Sequence, residues 1–278
     1  MGSDCSDEKV IDIEDVIRKK FPKLLRYVPR FIIRYLKNVI HEDELNTNIC
    51  KYRDYQGFEF TKKMLGELGT HCEVYGRENI PDSGRFIFAA NHPLGGLDGM
   101  MLINEVGKKF PDLKFVVTDL LLNVKNFESI FVPVNKYGKQ SSEYVKKIEA
   151  TYASDTQILY FPAGYCSRKI NGQITDLIWH KSFISKAIQY QRDIIPVYFE
   201  AQNSNFFYRL SKIRKMLGIK ASIETFYLVD EMFKQRNKTI KLVFGSPVSY
   251  VTLDKSKSPA EWASYLRERV YNLRTSLY

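Results

Sequence analysis

With 278 residues, 44% of them hydrophobic and 14% aromatic, the chain has the make-up of a folded protein of one or two domains and not of a disordered one. A net charge of +10 implies an acidic partner, whether nucleic acid, anionic lipid or an acidic carrier protein. Four cysteines without CxxC spacing or His/Cys clustering argue against a zinc site and for a reducing compartment, and no run of 18 apolar residues is present to span a bilayer.

Residues 1–10 read as a polar, acidic tail and not as a signal peptide. From Arg18 to Lys37 there are eight basic residues and no acid, interleaved with Phe21, Leu24, Leu25, Val28, Ile32, Tyr35 and Leu36 at three- and four-residue steps. This is an apolar helical stripe backed by a basic face, broken at Pro22 and Pro29. It suits an anionic membrane surface, reached through residues 14–40, and suits equally a helix packed on a core with its basic face in water. Zinc-finger spacing, an RNA-recognition aromatic signature and a basic region with heptads are all missing, so nucleic acid is not the expected partner. Residues 11–69 read as helical, with a polar connection at His41–Thr47 and a helix from about Phe58 to Leu68.

After residue 69 strand and helix signals alternate. Strands are expected at Phe86–Ala90, Lys114–Thr118, Ile130–Val134, Gln157–Phe161, Ile194–Phe199, Glu224–Val229 and Thr239–Phe244, and helices at Leu97–Phe110, Ser141–Ser154, Lys181–Gln191 and Phe206–Leu217. Ser258-Pro259-Ala260-Glu261 combines an N-cap, a proline at the first helical position and a capping-box glutamate, opening a last helix to about Arg274. The expected class is α/β: a mixed, largely parallel central sheet flanked by helices, residues 70–278, behind an N-terminal basic amphipathic helical layer, residues 1–69.

Two stretches carry chemistry. Asn91-His92-Pro93-Leu94-Gly95-Gly96-Leu97-Asp98 follows a short buried strand and opens a helix, the place where open α/β sheets bind ligands. Imidazole can take a proton near neutral pH, and a nearby carboxylate can fix its tautomer and stabilise the imidazolium, so His92 and Asp98 are the candidate catalytic pair. The second stretch, Phe161-Pro162-Ala163-Gly164-Tyr165-Cys166-Ser167-Arg168-Lys169, is again a strand running into a glycine-containing basic loop able to hold an anion. A Gly-x-Ser-x-Gly elbow and a nucleotide-binding phosphate loop are both absent.

Taken together, the two stretches resemble the glycerolipid (lysophosphatidate) acyltransferase superfamily. Asn91, His92 and Asp98 match its Asn-His-four residues-Asp motif with one extra residue. Val134-Asn135-Lys136 stands where the superfamily has Ile-Asp-Arg. Phe161, Pro162, Gly164, Ser167 and Arg168 match Phe-Pro-Glu-Gly-Thr-Arg-Ser-Arg, and Ile195-Pro196-Val197 matches the Pro-Val strand. The resemblance implies that His92 deprotonates an acceptor hydroxyl, that Asp98 orients it, and that the hydroxyl attacks an acyl thioester. Asn91, Gly95, Gly96, Lys136, Phe161, Pro162, Gly164, Ser167, Arg168, Lys169 and Lys181 would bind substrate, the amides near Gly95 and Gly96 holding the oxyanion.

Ala163 and Cys166 replace the superfamily's phosphate-binding Glu and Arg. Together with His-Pro-Leu-Gly-Gly this resembles the hemolysin-like branch, which includes O-acyltransferases that complete amino-acid lipids, the ornithine and glycine lipids. The expected protein is a peripheral enzyme at the cytoplasmic face of the inner membrane, without cofactor or metal, using acyl-carrier protein or acyl-CoA as donor. A phosphatidate-forming acyltransferase, a Cys166 acyl-enzyme, and a non-catalytic lipid-binding or lytic protein are the alternatives.

Overall fold

The computed structural model describes residues 9–20, 28–118, 124–134, 142–219 and 222–277. Three of the sheet's strands lie where runs of β-branched and aromatic residues sit between turn signals: β2 (Phe86–Ala90), β8 (Asp193–Glu200) and β9 (Thr239–Phe244). With β1 (His71–Tyr75), β3 (Leu113–Thr118), β4 (Phe131–Val134) and β5 (Gln157–Tyr160) they form a seven-stranded sheet in the order β1-β9-β8-β2-β5-β3-β4. Neighbouring strands are parallel except β8 and β9. The mixed, largely parallel sheet expected from the alternation is therefore present.

β2 is central, paired with β8 on one side and β5 on the other, and all five of its residues are buried. A strand covered on both faces has no use for polar alternation, hence Phe-Ile-Phe-Ala-Ala. Phe86, Phe88 and Ala90 join a core that takes in α3 (Glu42–Lys51), α4 (Gly57–Leu68) and α5 (Gly96–Gly107) through Leu45, Phe60, Leu65 and Leu97. Ile87 and Ala89 face the opposite core, packed with Phe183 and Ala187 of α7 (Ser182–Tyr190) and Trp262 and Leu266 of α10 (Pro259–Asn272). α10 opens with the capping box read from sequence, Ser258 and Glu261 each serving the other's backbone. The remaining described helices are α1 (Ile13–Lys20), α2 (Arg30–Val39), α6 (Ser142–Ala153), α8 (Asn205–Met216) and α9 (Leu228–Phe233). Among the described residues no helix is long and apolar enough to cross a membrane.

The structure corrects four local expectations. His41–Thr47 is not a connection but the start of α3, because Glu42, Asp43 and Glu44 occupy its first turn, where the helix dipole favours acids. Glu224–Val229 is not a strand. Its aromatic and β-branched residues lie in a 3-10 turn over Ile223–Tyr227 that continues into α9, with Glu224 inward and Phe226 outward. Three strands pass unnoticed in the sequence: the edge strand β1, and β6 (Arg168–Ile170) and β7 (Gln173–Thr175), an antiparallel hairpin across Asn171-Gly172. Both turn residues have positive φ, 49° and 83°, as an Asn-Gly hairpin turn requires. Finally, Cys72 and Cys166 are free thiols, but Cys50 is disulfide-bonded.

Candidate active site

His92 lies just beyond the carboxyl end of β2, and the loops leaving β5 and β8 close around it. Its Nδ1 is 3.0 Å from Asp98 Oδ1, and the Leu94 N–H donates to Asp98 Oδ2 at 2.8 Å. Asp98 is in the first turn of α5 and fully buried, whereas the His92 side chain keeps 17% of its surface exposed. The five residues separating them are accommodated at Gly95, whose φ of +80° only glycine adopts without strain. A side chain at Gly95 would also press on Leu228 and on Cys166 Sγ, 3.3 and 3.4 Å away, while nothing stands within 4 Å of the corresponding point at Gly96.

The Phe161 ring stacks on the imidazole at 4.0 Å and 19°, fixing the plane in which the ring faces its exposed edge. Burial works against charging this imidazole, but the Asp98 carboxylate and the adjacent Cys166 thiol outweigh it, so its pKa lies well above the ordinary 6.5.

A second carboxylate, Asp176, ties the two motifs together. It is buried and accepts from the His92 N–H at 3.2 Å, the Ser167 hydroxyl at 2.6 Å and the Trp179 indole at 2.9 Å. The Ser167 N–H in turn donates to the His92 carbonyl at 2.7 Å. Desolvation raises the Asp176 pKa, against those donors, which lower it. Asp176→Ala would orphan three buried donors at about 1–3 kcal/mol each, partly offset by no longer burying a charge. A net destabilisation of about 3 kcal/mol is expected from urea unfolding, with a fall in turnover because the His92 and Ser167 loops lose their common anchor.

Residues 15–278 match the family described as Acyltransferase. The chain belongs to that acyltransferase family. It is 45% identical over 265 residues to the lyso-glycine lipid O-acyltransferase of Bacteroides thetaiotaomicron, covering 95% of this chain and 97% of that one. It is 43% identical to the lyso-glycine lipid O-acyltransferase of Phocaeicola vulgatus, covering 95% of each. Among solved structures, the 1-acyl-sn-glycerophosphate acyltransferase PlsC from Thermotoga maritima overlaps 78% of this chain and 82% of its own, at 18% identity and a TM-score of 0.45.

Of the residues the sequence assigns to the site of this acyltransferase, His92, Asp98, Gly95, Phe161 and Ser167 come together as described. Asn91, Ser167 and Arg168 are buried with their polar atoms turned onto the protein itself. Asn91 spans the gap to β8, its amide donating to the Phe199 carbonyl at 3.0 Å and its oxygen accepting the Phe199 N–H at 2.7 Å. Arg168 donates to the Cys166 carbonyl at 2.7 Å and to Glu224 at 3.0 Å, its guanidinium lying over Phe207. These side chains hold the loops in place. Pro162 accepts the His180 N–H at 2.9 Å, which brings exposed Lys181 beside the loop containing exposed Gly164 and Lys169. Lys136 lies outside the described residues. Among the described residues no three His, Cys, Asp or Glu are grouped to hold a metal ion.

Asp176, Glu224 and Asn203 were not among the residues expected at the site from the sequence, nor was Trp179, whose indole donates to Asp176. Asn203 donates to the Pro93 carbonyl at 2.9 Å and so supports the residue next to the imidazole.

Proposed function

We propose that this acyltransferase moves a fatty acyl group from an acyl thioester to the hydroxyl of a lyso amino-acid lipid, a lyso-glycine lipid foremost, with His92 as general base. The observation that carries the mechanism is the His92–Asp98 pair, one oxygen of a buried carboxylate on Nδ1 and the ring edge reachable from outside. The acceptor follows from the two curated relatives, both named for lyso-glycine lipid.

With its Nδ1–H donated to Asp98, the ring offers the Nε2 lone pair to the acceptor hydroxyl. As oxygen attacks the thioester carbonyl, Nε2 takes the hydroxyl proton. The tetrahedral oxyanion sits against the first amides of α5, at Gly95 and Gly96, which have no partner within the helix and point along the positive end of its dipole. The C–S bond then breaks, the imidazolium returns the proton to the departing thiolate, and an ester and a free thiol leave. Open space beside Gly96 leaves room for the thioester there.

Lys169 and Lys181 are exposed cations at and beside the Phe161–Lys169 loop and suit the carboxylate of such an acceptor. The Arg168 charge is already met by Glu224. The basic surface suits an acidic acyl carrier protein and equally the phosphates of coenzyme A as the donor's carrier. The basic N-terminal segment, residues 14–40, would hold the enzyme peripherally at the cytoplasmic face of the inner membrane. In support, α2 has no buried residue, and exposes Phe31, Ile32 and Tyr35 beside Arg30 and Arg34.

Purified enzyme given an acyl carrier protein or coenzyme A thioester and either N-(3-hydroxyacyl)glycine or lysophosphatidate tests the reading. Ester formation on the glycine lipid is expected; transfer to lysophosphatidate alone would replace it with a phosphatidate-forming enzyme. The base must be neutral to act, so a raised His92 pKa places the acid limb of kcat/KM above pH 6.5. Asp98→Asn removes one of the two groups that raise it. The limb should then move to lower pH while the plateau falls, which pH profiles of both proteins will read.

A further inference from the structure

Helix α8 is built inside out. Its inner face carries Phe207 and Tyr208 but also Ser211 and Arg214, both buried and both on Glu224. Its outer face carries Phe206 and Ile213, followed by Met216 and Leu217, which are 77% and 65% exposed. Positions 206, 213 and 217 share one side of a 3.6-residue helix. Arg209, Lys212 and Lys215 are exposed around them, Ile219 extends the patch, and no acid occurs from Asn205 to Ile219. A surface helix of a water-soluble protein turns its apolar side inward. This one presents it to the outside with a fringe of cations.

The patch continues onto α2. Tyr227 meets the Phe206 ring edge-on at 4.9 Å, and its hydroxyl is 2.9 Å from that of Tyr35. Phe31, 72% exposed, Ile32 and Phe226 enlarge the same apolar area, and α2 also lacks any acid between Arg30 and Val39. Scattered exposed apolar residues need no explanation, but a contiguous area with a charged rim marks a contact surface.

We infer that α8 and the turn through Ile219 enter the interface of an anionic bilayer alongside α2, forming a second membrane-binding element. The inference rests on the reading of the protein as a peripheral enzyme acting on lipid. Charge selects the occupant. A second copy would set Arg30, Arg34, Arg209, Lys212 and Lys215 against their own kind, whereas anionic headgroups complement them. The arrangement also reaches the reaction centre, since Phe207 lies under Arg168 and the Tyr208 hydroxyl accepts from Asn203, which holds Pro93. One helix thus braces the loop of His92 with its inner face and meets lipid with its outer face.

Flotation of the full-length protein with phosphatidylglycerol/phosphatidylethanolamine vesicles tests this. Wild type is expected to float. The triple variant Ile213→Glu, Met216→Glu, Leu217→Glu should bind vesicles at least about tenfold more weakly, with unchanged thermal melting and unchanged turnover of detergent-dispersed acceptor. Met216→Trp should add a blue-shifted emission on mixing with the same vesicles, above the signal of buried Trp179 and Trp262.

Equal flotation of the triple variant and wild type would overturn the role of α8 while leaving membrane attachment through α2 intact. Failure of wild type to float would overturn both. A wild-type dimer that becomes monomeric in the triple variant would assign the face to a second copy and overturn the inference.

Discussion

Replacing His92 by alanine should lower kcat for acyl transfer by about 10²–10⁴-fold, the contribution of a positioned general base. An alcohol is a poor nucleophile at neutral pH until its proton has somewhere to go, and in the proposed mechanism it goes to the exposed edge of His92. The variant loses the Asp98 contact and the Phe161 stack but should fold, because the backbone of residue 92 stays held, its N–H on Asp176 and its carbonyl on the Ser167 N–H, and Asp98 keeps the Leu94 N–H. Steady-state kinetics with circular dichroism of the same samples separates the two effects. Cells in which the variant replaces wild type should lose the acylated lipid from their extracts. Unchanged turnover in His92→Ala would end the enzymatic mechanism proposed above.

Glu224→Ala should cost about 3–5 kcal/mol of stability, the penalty for leaving a buried charge without its counter-ion. Glu224 is fully buried between Arg168 and Arg214, which approach it at 3.0 and 2.8 Å, with the Ser211 hydroxyl as a further donor. Neither guanidinium is more than 9% exposed, so water cannot take over. The midpoint of urea unfolding reads the loss. Activity should fall with it, because Arg168 fastens the Cys166 carbonyl and thereby the loop that anchors His92. An unchanged midpoint would mean that the cluster relaxes to solvent.

The fold was legible wherever one periodicity dominated. Phe86–Ala90 and Thr239–Phe244 match their strands residue for residue, and the capping box at Ser258 marks its helix. Misreadings arose where local composition misled. The acids of Glu42–Glu44 look like a loop until the helix dipole is considered, and Ile223–Val229 has strand-forming residues without the burial pattern of a strand. β1 was missed because an edge strand reading His-Cys-Glu-Val-Tyr carries little apolar alternation, its partner β9 alone specifying it.

The reaction centre divides in the same way. His92 and Asp98 are six positions apart and could be seen as a pair. Asp176, Glu224 and Asn203 act on residues 84, 56 and 110 positions away, and become neighbours only because β2, β5 and β8 end side by side. Nothing near Asp176 in the sequence announces that it receives three donors. The cations of the Phe161–Lys169 loop could be read from the sequence, but not that Arg168 is neutralised from a distant 3-10 turn.

Both oxygens of Asp98 are committed within the protein, one to the imidazole and one to the Leu94 amide. On the proposed mechanism the fold's own contacts hold the imidazole and its carboxylate in register, so little of the energy of lipid capture would go into organising them. Proton NMR of the unliganded protein should accordingly display a strongly deshielded Nδ1–H resonance that neither appears nor sharpens on adding acceptor.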